Sequence, residues 1–571
     1  MRQHIQIGNL RLVVALGFVV LAWMSFRRGL VSPIWCFAPV LLFVELARRH
    51  ELVIRRKARA SRAVTFYERG LGRIEDRWAG QGEAGEQFRS ASHPYCDDLD
   101  LFGNGGLFQL LSTARTRMGE ETLADWLLVS APLCTARSRQ AAVTELRDQL
   151  DLREDLAVLG EAVGAGVHPE RLRKWAEQPP VLDSRALRVA SAVLPCLLVF
   201  SIVGPSSSAL AWLRLAVLIA EVILGLCLRS RVKRVVGGVE HAAQDLGLLA
   251  GVLSRLEREK FQSLRLREVQ KLLDTEGVPP SQKIARLQRL VEILDSRENI
   301  FMRVIGPPLL YTTQFAFAVE AWRKATGSQV GLWLDAVGEL EALCSLAGYS
   351  YEHPAHSMPE LCEEGPTFVC AGMGHPLLPA ARCVRNDVSL GAEQRVWIVS
   401  GSNMSGKSTL LRAVGVNAIL AMAGAPVCAD RLRISAVVVG ASIRPQDSLQ
   451  GGTSRFYAEI TRLRRLTDLT NTPAPLLFLL DELLHGTNSH DRRIGAEGIV
   501  KALVGRGAFG LLTTHDLALT HIAEQLVPPG LNVHFQDHIE NGKITFDYQL
   551  RPGIVEKSNA LELMRSIGLE V

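Results

Sequence analysis

The ten cysteines include no C-x-x-C pair, and no histidine cluster falls at zinc spacing. That excludes a disulfide frame and a Cys/His metal site, and leaves buried, reduced thiols of a cytosolic protein. Aromatic residues are scarce at 6%, and the apolar content leans on Leu, Val and Ala, which favours helices over a β-sandwich. Neither sign of charge dominates: 64 Lys and Arg face 59 Asp and Glu, a net of +5. Bulk charge therefore neither demands nor excludes a nucleic-acid partner. There is no low-complexity tract and no repeat of fixed period. With 48% hydrophobic and 22% charged residues, wholesale disorder is excluded as well. What is there is a chain of 571 residues, room for about three or four domains.

Long apolar runs occur twice, each time in a pair. Leu12 to Phe26 is followed by Arg27 and Arg28, and then Leu30 to Leu46 runs nearly free of charge except Glu45. A second pair, Val189 to Gly204 and Ala209 to Leu228, is joined by an uncharged turn, Gly204 to Ser208. Each is close to the ~20 residues of a spanning helix once flanking residues are added. A secretory signal peptide is the alternative for the first stretch, but no small-residue cleavage site follows it. A buried helical hairpin is the alternative for the second pair, because Arg214 and Glu221 sit inside it on one helical face. Arg48, Arg49, Arg55, Arg56, Lys57, Arg59 and Arg62 follow the first pair; Arg185 and Arg188 precede the second, and Arg229, Arg231, Lys233 and Arg234 follow it. The positive-inside rule puts these flanks in the cytosol, against the local exception of Arg27 and Arg28. The expectation is a four-helix anchor in the cell inner membrane with all soluble mass in the cytoplasm.

Between and after the anchors the pattern is helical. Leu107, Leu111, Ala114, Met118, Leu123, Trp126 and Leu127 recur mostly at three- and four-residue steps, and Val143 to Leu159 continues as a charged amphipathic stretch. Val239 to Arg303 reads as long helix interrupted near Gly277 to Pro280, and Leu332 to Tyr351 as one more. Arg255, Arg258, Lys260, Arg265, Arg267 and Lys271 crowd one region, with Glu257, Glu259 and Glu268 interleaved. That mixture favours a solvated helix face over a nucleic-acid contact.

After about Pro366, short β-rich runs alternate with helices, as an α/β domain requires. Val396 to Val399 is a buried-strand pattern leading into Gly401-Ser402-Asn403-Met404-Ser405-Gly406-Lys407-Ser408, followed by a helical run from Thr409 to Ala423. Strand, glycine loop and helix give G-x-x-x-x-G-K-S the context of a phosphate site. Backbone amides and the helix N-terminus meet phosphate oxygens, Lys407 supplies a charge to the β- and γ-phosphates, and Ser408 offers a hydroxyl to Mg²⁺. Leu476 to Glu482 is a central strand ending in two acids: Asp481 to hold Mg²⁺ and Glu482 to polarise the attacking water. Leu511 to His515 is a further strand whose C-terminal end would bring His515 to the γ-phosphate, a capping or core role being the alternative.

These residues resemble a known family. From about Ala371 onward the chain resembles the ATPase domain of the MutS mismatch-repair proteins, an ABC-type branch. The loop GSNMSGKSTLLR, the segment Gly451 to Glu459 with Ser454, Phe456 and Glu459, the run Asp481 to Asp491, and Thr513-Thr514-His515-Asp516 carry that resemblance. His375-Pro376, Asn386-Asp387, and the stretch from Tyr548 through Arg551-Pro552-Gly553 to Lys557-Ser558 also fit. Upstream, Leu99 to Leu128 resembles the start of the MutS core, and Gly331 to Tyr351 its lever helix. The resemblance implies ATP and Mg²⁺ as cofactors, a homodimer in which Ser454 reaches the γ-phosphate in trans, and Tyr548 beside adenine.

The expected architecture is multidomain α and α/β. It comprises a membrane hairpin (1–50), a helical core-like region (51–184), a second hairpin (185–234), a helical lever (235–365) and a P-loop ATPase domain (366–571). A divergent MutS relative is implied, with anchor helices in place of the N-terminal mismatch-reading domain and no dimerisation helices after the ATPase. DNA is the expected partner, with the lipid bilayer and no small-molecule substrate besides ATP. The rival expectation is a membrane-coupled mechanochemical or scaffold ATPase that does not touch DNA. A transporter is disfavoured, since Gly451 to Glu459 is not a Leu-Ser-Gly-Gly-Gln segment.

Overall fold

The computed structural model describes residues 2–28, 32–204, 208–274, 277–295, 306–402, 404–443, 455–484, 487–540 and 543–555. Asn403, Ser454 and the Lys557-Ser558 pair lie outside them. The chain divides into two units, residues 1–71 and 72–571.

The first unit is built on helices α1 (Arg2–Arg28) and α2 (Phe37–Ile74), with a 3-10 turn Pro33–Cys36 between them. Arg11 donates to Nδ1 of His50 at 2.9 Å, and its guanidinium lies 5.0 Å from the centre of the Phe43 ring. These contacts set α1 antiparallel to α2. Leu12, Val13, Leu16, Val19, Val20 and Trp23 point outward. Among the described residues three helical stretches are long and apolar enough to cross a membrane: Ile7–Arg27, Arg185–Val203 and Ser208–Glu257. Of the expected span at 30–46, residues 30 and 31 lie outside the described residues, and the described remainder is not one of them. Pro33 sits in the 3-10 turn, α2 opens only at Phe37, and Glu45, Arg48 and Arg49 arrive within its first turns.

The second unit opens with short helices: α3 (Leu107–Leu111), α4 (Arg117–Leu128), α5 (Leu133–Arg147), α6 (Leu150–Gly166) and α7 (Pro169–Glu177). The expected run through Leu107 to Leu127 breaks at Ser112, and a new helix starts where the Thr116 hydroxyl accepts the Gly119 amide at 3.2 Å. Helices α8 (Arg185–Val203) and α9 (Ser208–Glu257) pack on each other. Pro195 inside α8 removes the amide that would bond the Ser191 carbonyl, and Gln314 Nε2 donates to that carbonyl at 3.2 Å. Glu221 is buried and Arg214 donates to the Leu210 carbonyl.

Residue 234, the expected end of the second hairpin, lies inside a helix. Helix α9 runs unbroken for 50 residues, carrying one buried stripe from Val217 through Glu221, Leu228, Val232, Val235, Val239, Ala242, Leu246 and Leu249 to Leu256. Steps of three, four and seven keep these residues on one face. Then follow α10 (Leu264–Leu273), α11 (Pro280–Asp295) and the 42-residue α12 (Tyr311–Glu352), against which α4, α5, α7, α9 and α10 pack. Arg255 pairs with Asp155 and Glu259, and Arg265 with Glu339 and Glu268. Part of the basic cluster thus ties helices together.

Glu341, fully buried on α12, accepts the Thr116 amide at 3.1 Å and its hydroxyl at 2.5 Å. Added Cβ atoms at Gly119 and Gly160 would stand 2.3 and 2.8 Å from its oxygens, so two glycines make room for the carboxyl. Burial pushes its pKa up to about 7.

The C-terminal part holds two sheets. Strands β1 (Glu360–Cys362), β2 (Phe368–Met373), β3 (Asn386–Leu390) and β5 (Arg431–Ser435) form one, in the order β1-β5-β2-β3. The other joins β4 (Val396–Ser400), β6 (Val438–Ser442), β7 (Leu476–Asp481), β8 (Phe509–Thr514), β9 (Leu531–Glu540) and β10 (Lys543–Pro552). Its order is β10-β9-β4-β8-β7-β6, parallel except for β10. Alternation along its strands divides the core. Trp397, Val399, Leu477 and Leu479 face one cluster, while Val396, Ile398, Leu476, Phe478 and Leu480 face the other. Both faces are covered, which explains the continuous apolar runs. Helices α13 (Lys407–Ala423), α14 (Arg455–Asp468), α15 (Ser489–Gly505) and α16 (Ile522–Gln525) complete the domain.

Candidate nucleotide site

The site forms where three parallel strands end. Strand β4 delivers Gly401, β7 delivers Asp481 and Glu482, and β8 delivers His515, because parallel pairing aligns Ser400 with Thr514 and Asp481 with Thr513. Ligands of open α/β sheets gather at such C-terminal edges.

The loop from Gly401 turns into α13 at Gly406, whose φ of 104° is natural only to glycine. A Cβ there would also stand 3.2 Å from Cδ1 of Tyr548. Lys407 is the first residue of the helix and is buried. Its ammonium donates to the carbonyls of Gly401 and Ser402, each at 2.8 Å, and lies 3.9 Å from Oε1 of Glu482. Burial lowers its pKa, with Glu482 and then Asp481 opposing the shift. The hydroxyls of Ser402 and Ser405 are buried without a hydrogen-bond partner among the described residues, while Met404 is almost wholly exposed.

Ser408 donates to Oδ2 of Asp481 at 2.5 Å, and the Thr513 hydroxyl donates to Oδ1. Asp481 is thereby turned toward the helix that carries Lys407. Glu482 follows with φ of 48°, a left-handed conformation that costs about 1–2 kcal/mol for a residue with a Cβ. Its amide donates to the Thr513 carbonyl at 3.2 Å, holding the turn. The result brings Oε1 within 3.4 Å of Nδ1 of His515, whose side chain is 41% exposed. Ser408 and Asp481 suit Mg²⁺: a hydroxyl and a carboxylate in contact, with room for substrate oxygens and water to complete an octahedron. No cluster of three or more His, Cys, Asp or Glu that could hold a metal occurs among the described residues.

A cavity of about 680 Å³ opens beside the loop, lined by Met404, Gly406, Lys407, Ser408, Thr409 and Glu482 on one side. Tyr548, Phe535, Met373, His375, Leu378, Cys383 and Val384 form the other. Tyr548 adopts φ of 54° where the pairing of β9 with β10 shifts register. Asn386 secures that bulge: its Nδ2 donates to the Tyr548 carbonyl at 3.0 Å, and its Oδ1 accepts the Leu550 amide at 2.7 Å. Burial lowers the pKa of His375 to about 4, with the Arg412 charge adding to the effect, so its ring is neutral at pH 7. Glu459 accepts the Leu484 amide at 2.6 Å, linking α14 to the turn after the two acids.

The predicted residues Gly401, Ser402, Met404, Ser405, Gly406, Lys407, Ser408, Thr409, Asp481, Glu482, His515 and Tyr548 are thus brought to one place. Sequence reasoning missed Met373, Leu378, Cys383, Val384 and Phe535 in the cavity wall. They come from β2, β9 and a connecting turn, and carry no local signal.

A family model for MutS domain V matches residues 397–570. The C-terminal region is MutS-like. The DNA mismatch repair protein MutS of Natronomonas pharaonis is 32% identical over 242 residues, 41% of this chain and 27% of that protein. The MutS of Geobacillus kaustophilus is 32% identical over 240 residues, 41% of this chain and 26% of that protein. The Endonuclease MutS2 of Thermus thermophilus is 32% identical over 203 residues, 34% of this chain and 25% of that protein. The chain spans only about a quarter of the length of these relatives, and the MutS likeness rests on its C-terminal part.

Proposed function

We propose that this protein is a MutS-like ATPase held at a membrane and acting on DNA. The observation that carries the ATPase reading is the contact of Ser408 with Asp481, with Lys407 and Glu482 lining the same site. Loop amides and the α13 N-terminus bind the phosphates, and Lys407 exchanges its bonds to Gly401 and Ser402 for the β- and γ-oxygens. Ser408 and Asp481 would hold Mg²⁺, which would neutralise phosphate charge. Glu482 orients and deprotonates the attacking water, and His515 holds Glu482 and meets the γ-phosphate. Tyr548 packs on adenine. Ser454 of a second copy completes the phosphate cage, so ATP closes a homodimer.

Three apolar helical stretches support the anchor, since outward-facing Leu, Val and Trp need an apolar solvent. The basic flanks support a cytoplasmic location for the soluble mass at the inner membrane. The names of the relatives support DNA as partner.

The unbroken helix α9 favours a second reading, a membrane-coupled mechanochemical ATPase indifferent to DNA. One experiment separates the two: hydrolysis by the purified full chain with homoduplex, mismatched and branched DNA. Stimulation that falls steeply with salt supports the first reading; hydrolysis unaffected by any DNA supports the second. Turnover that persists in Lys407→Ala sinks the site assignment itself.

A further inference from the structure

Two thiols with no part in the nucleotide chemistry meet behind the cavity wall. Cys383 closes the helical turn Ala380–Arg382 and lines the cavity. Cys428 is buried in the connection between α13 and β5. Gly374, just past β2, is what lets them meet. A Cβ there would stand 2.8 Å from Sγ of Cys383 and 2.9 Å from Sγ of Cys428, so only glycine leaves space for both sulfurs. Both sulfurs therefore converge on the open face of Gly374, close enough for each to influence the other's ionisation. The Gly374 amide donates to the Cys428 carbonyl at 2.8 Å, and the His375 amide donates to Sγ of Cys383 at 3.3 Å.

The two sulfurs are unequal. The neighbouring Cys428 thiol, then the His375 amide and the Arg385 charge, hold the Cys383 thiol down to about 6 against its burial. The nearness of Cys383 and burial push Cys428 up. Cys383 is a half-buried thiol that lines the cavity, and Cys428 is a buried thiol beside it. A cavity-lining thiol with a second thiol converging on the same glycine is the arrangement of reversible thiol oxidation, in which the first attacks as its thiolate and the second resolves.

We infer that Cys383 and Cys428 are a redox pair that a hydroperoxide entering the cavity closes into a disulfide. The Cys383 thiolate attacks the terminal peroxide oxygen and the O–O bond breaks. Oxygen stays on sulfur as a sulfenic acid, and the leaving oxygen takes up a proton and departs as water or an alcohol. Cys428 then attacks that sulfur. The S–S bond forms, and the sulfenic hydroxyl leaves with the Cys428 proton as water. Two thiols lose two electrons and the hydroperoxide gains two. The bond ties the turn carrying Arg382, Cys383 and Val384 to the segment before β5, fixing one wall of the cavity. A nucleotide in the cavity covers Cys383 and slows the reaction; that second statement rests on the proposed nucleotide site, whereas the pair itself does not.

The test treats the full-length protein in detergent with hydrogen peroxide, alkylates the remaining thiols and maps peptides by mass. A linked Cys383–Cys428 peptide is expected, forming about tenfold faster than exposed Cys134 is oxidised. Dithiothreitol reverses it. In Cys428→Ser, Cys383 stops as a sulfenic acid trapped by dimedone. Recovery of both thiols alkylated and unlinked under conditions that oxidise Cys134, or linkage of either to a different cysteine, overturns the pair. Repeating the reaction with Mg-ATP, slower linkage supports the cover, and an unchanged rate of the same linkage overturns the cover alone.

Discussion

Asp98 and Arg462, 364 residues apart, form an ion pair in which the carboxylate is wholly buried. The other Asp98 oxygen accepts the Ile443 amide at 2.8 Å, and its carbonyl accepts Nε of Arg412 at 3.0 Å. Arg462 also donates to the Ala441 carbonyl, and the Ala441 amide to the Pro94 carbonyl. One short segment therefore covers the edge strand β6 and clips together α13, β6 and α14. Asp98→Ala leaves the Ile443 amide and the partly buried Arg462 guanidinium without their carboxylate and is expected to cost roughly 3 kcal/mol. Thermal unfolding reads that loss, and a variant as stable as the parent would show that the pair contributes nothing.

Glu482→Gln should leave ATP binding near the parental level while lowering kcat about 100-fold or more, because the amide cannot take a proton from water. Lys407→Ala should weaken binding and turnover together. Equilibrium binding of a labelled nucleotide beside steady-state hydrolysis separates the two effects. Loss of binding in Glu482→Gln would assign that residue to phosphate contact instead.

Glu341 predicts a pH dependence with an unusual sign. Its folded pKa of about 7 lies above the ordinary value of 4.5, so between these pH values the unfolded chain releases the proton first. Stability from this group is then full below about pH 4.5, falls as pH rises toward 7, and levels off above it, a span of roughly 3 kcal/mol. Glu341→Gln removes that slope. The difference in unfolding temperature between the two proteins, followed from pH 4.5 to 8, should change steadily across the window; a constant difference would place the carboxyl in a wetter site.

Membrane attachment is expected to need detergent for release. Alkaline carbonate or high salt should leave the full chain in the membrane pellet, since apolar helices are held by burial and not by charge. Release by salt alone would make the attachment electrostatic.

Most of the candidate nucleotide site was legible because it is local. A strand running into Gly401 to Ser408, and another ending at Asp481, carry their structure and their chemistry in adjacent residues. Cavity walls are different. Leu378, Cys383 and Phe535 meet Tyr548 only through the pairing of separate strands, and no periodicity announces that. Tyr548 itself was placed by resemblance, and the reason for its position, the bulge that Asn386 holds, is a tertiary fact. Helix ends were blurred for another reason. Apolar steps persist across Ser112 and Asp148, where the chain nevertheless turns, while the composition shifts from apolar to basic after Leu228, where the helix runs on without a break. Leu30 to Leu46 had the composition of a span, and Pro33 with the late start of α2 shortened its helix.

The continuity of α9 has a consequence for rotation. At 1.5 Å per residue its 50 residues measure about 75 Å, and each residue turns the helix by about 100°. Its outward apolar half and its inner packed half therefore share one angular phase. A single residue inserted near Leu228 would swing one half about 100° against the other, whereas seven residues, nearly two full turns, would leave them about 20° apart. Any torque generated at one end of this rod is felt at the other.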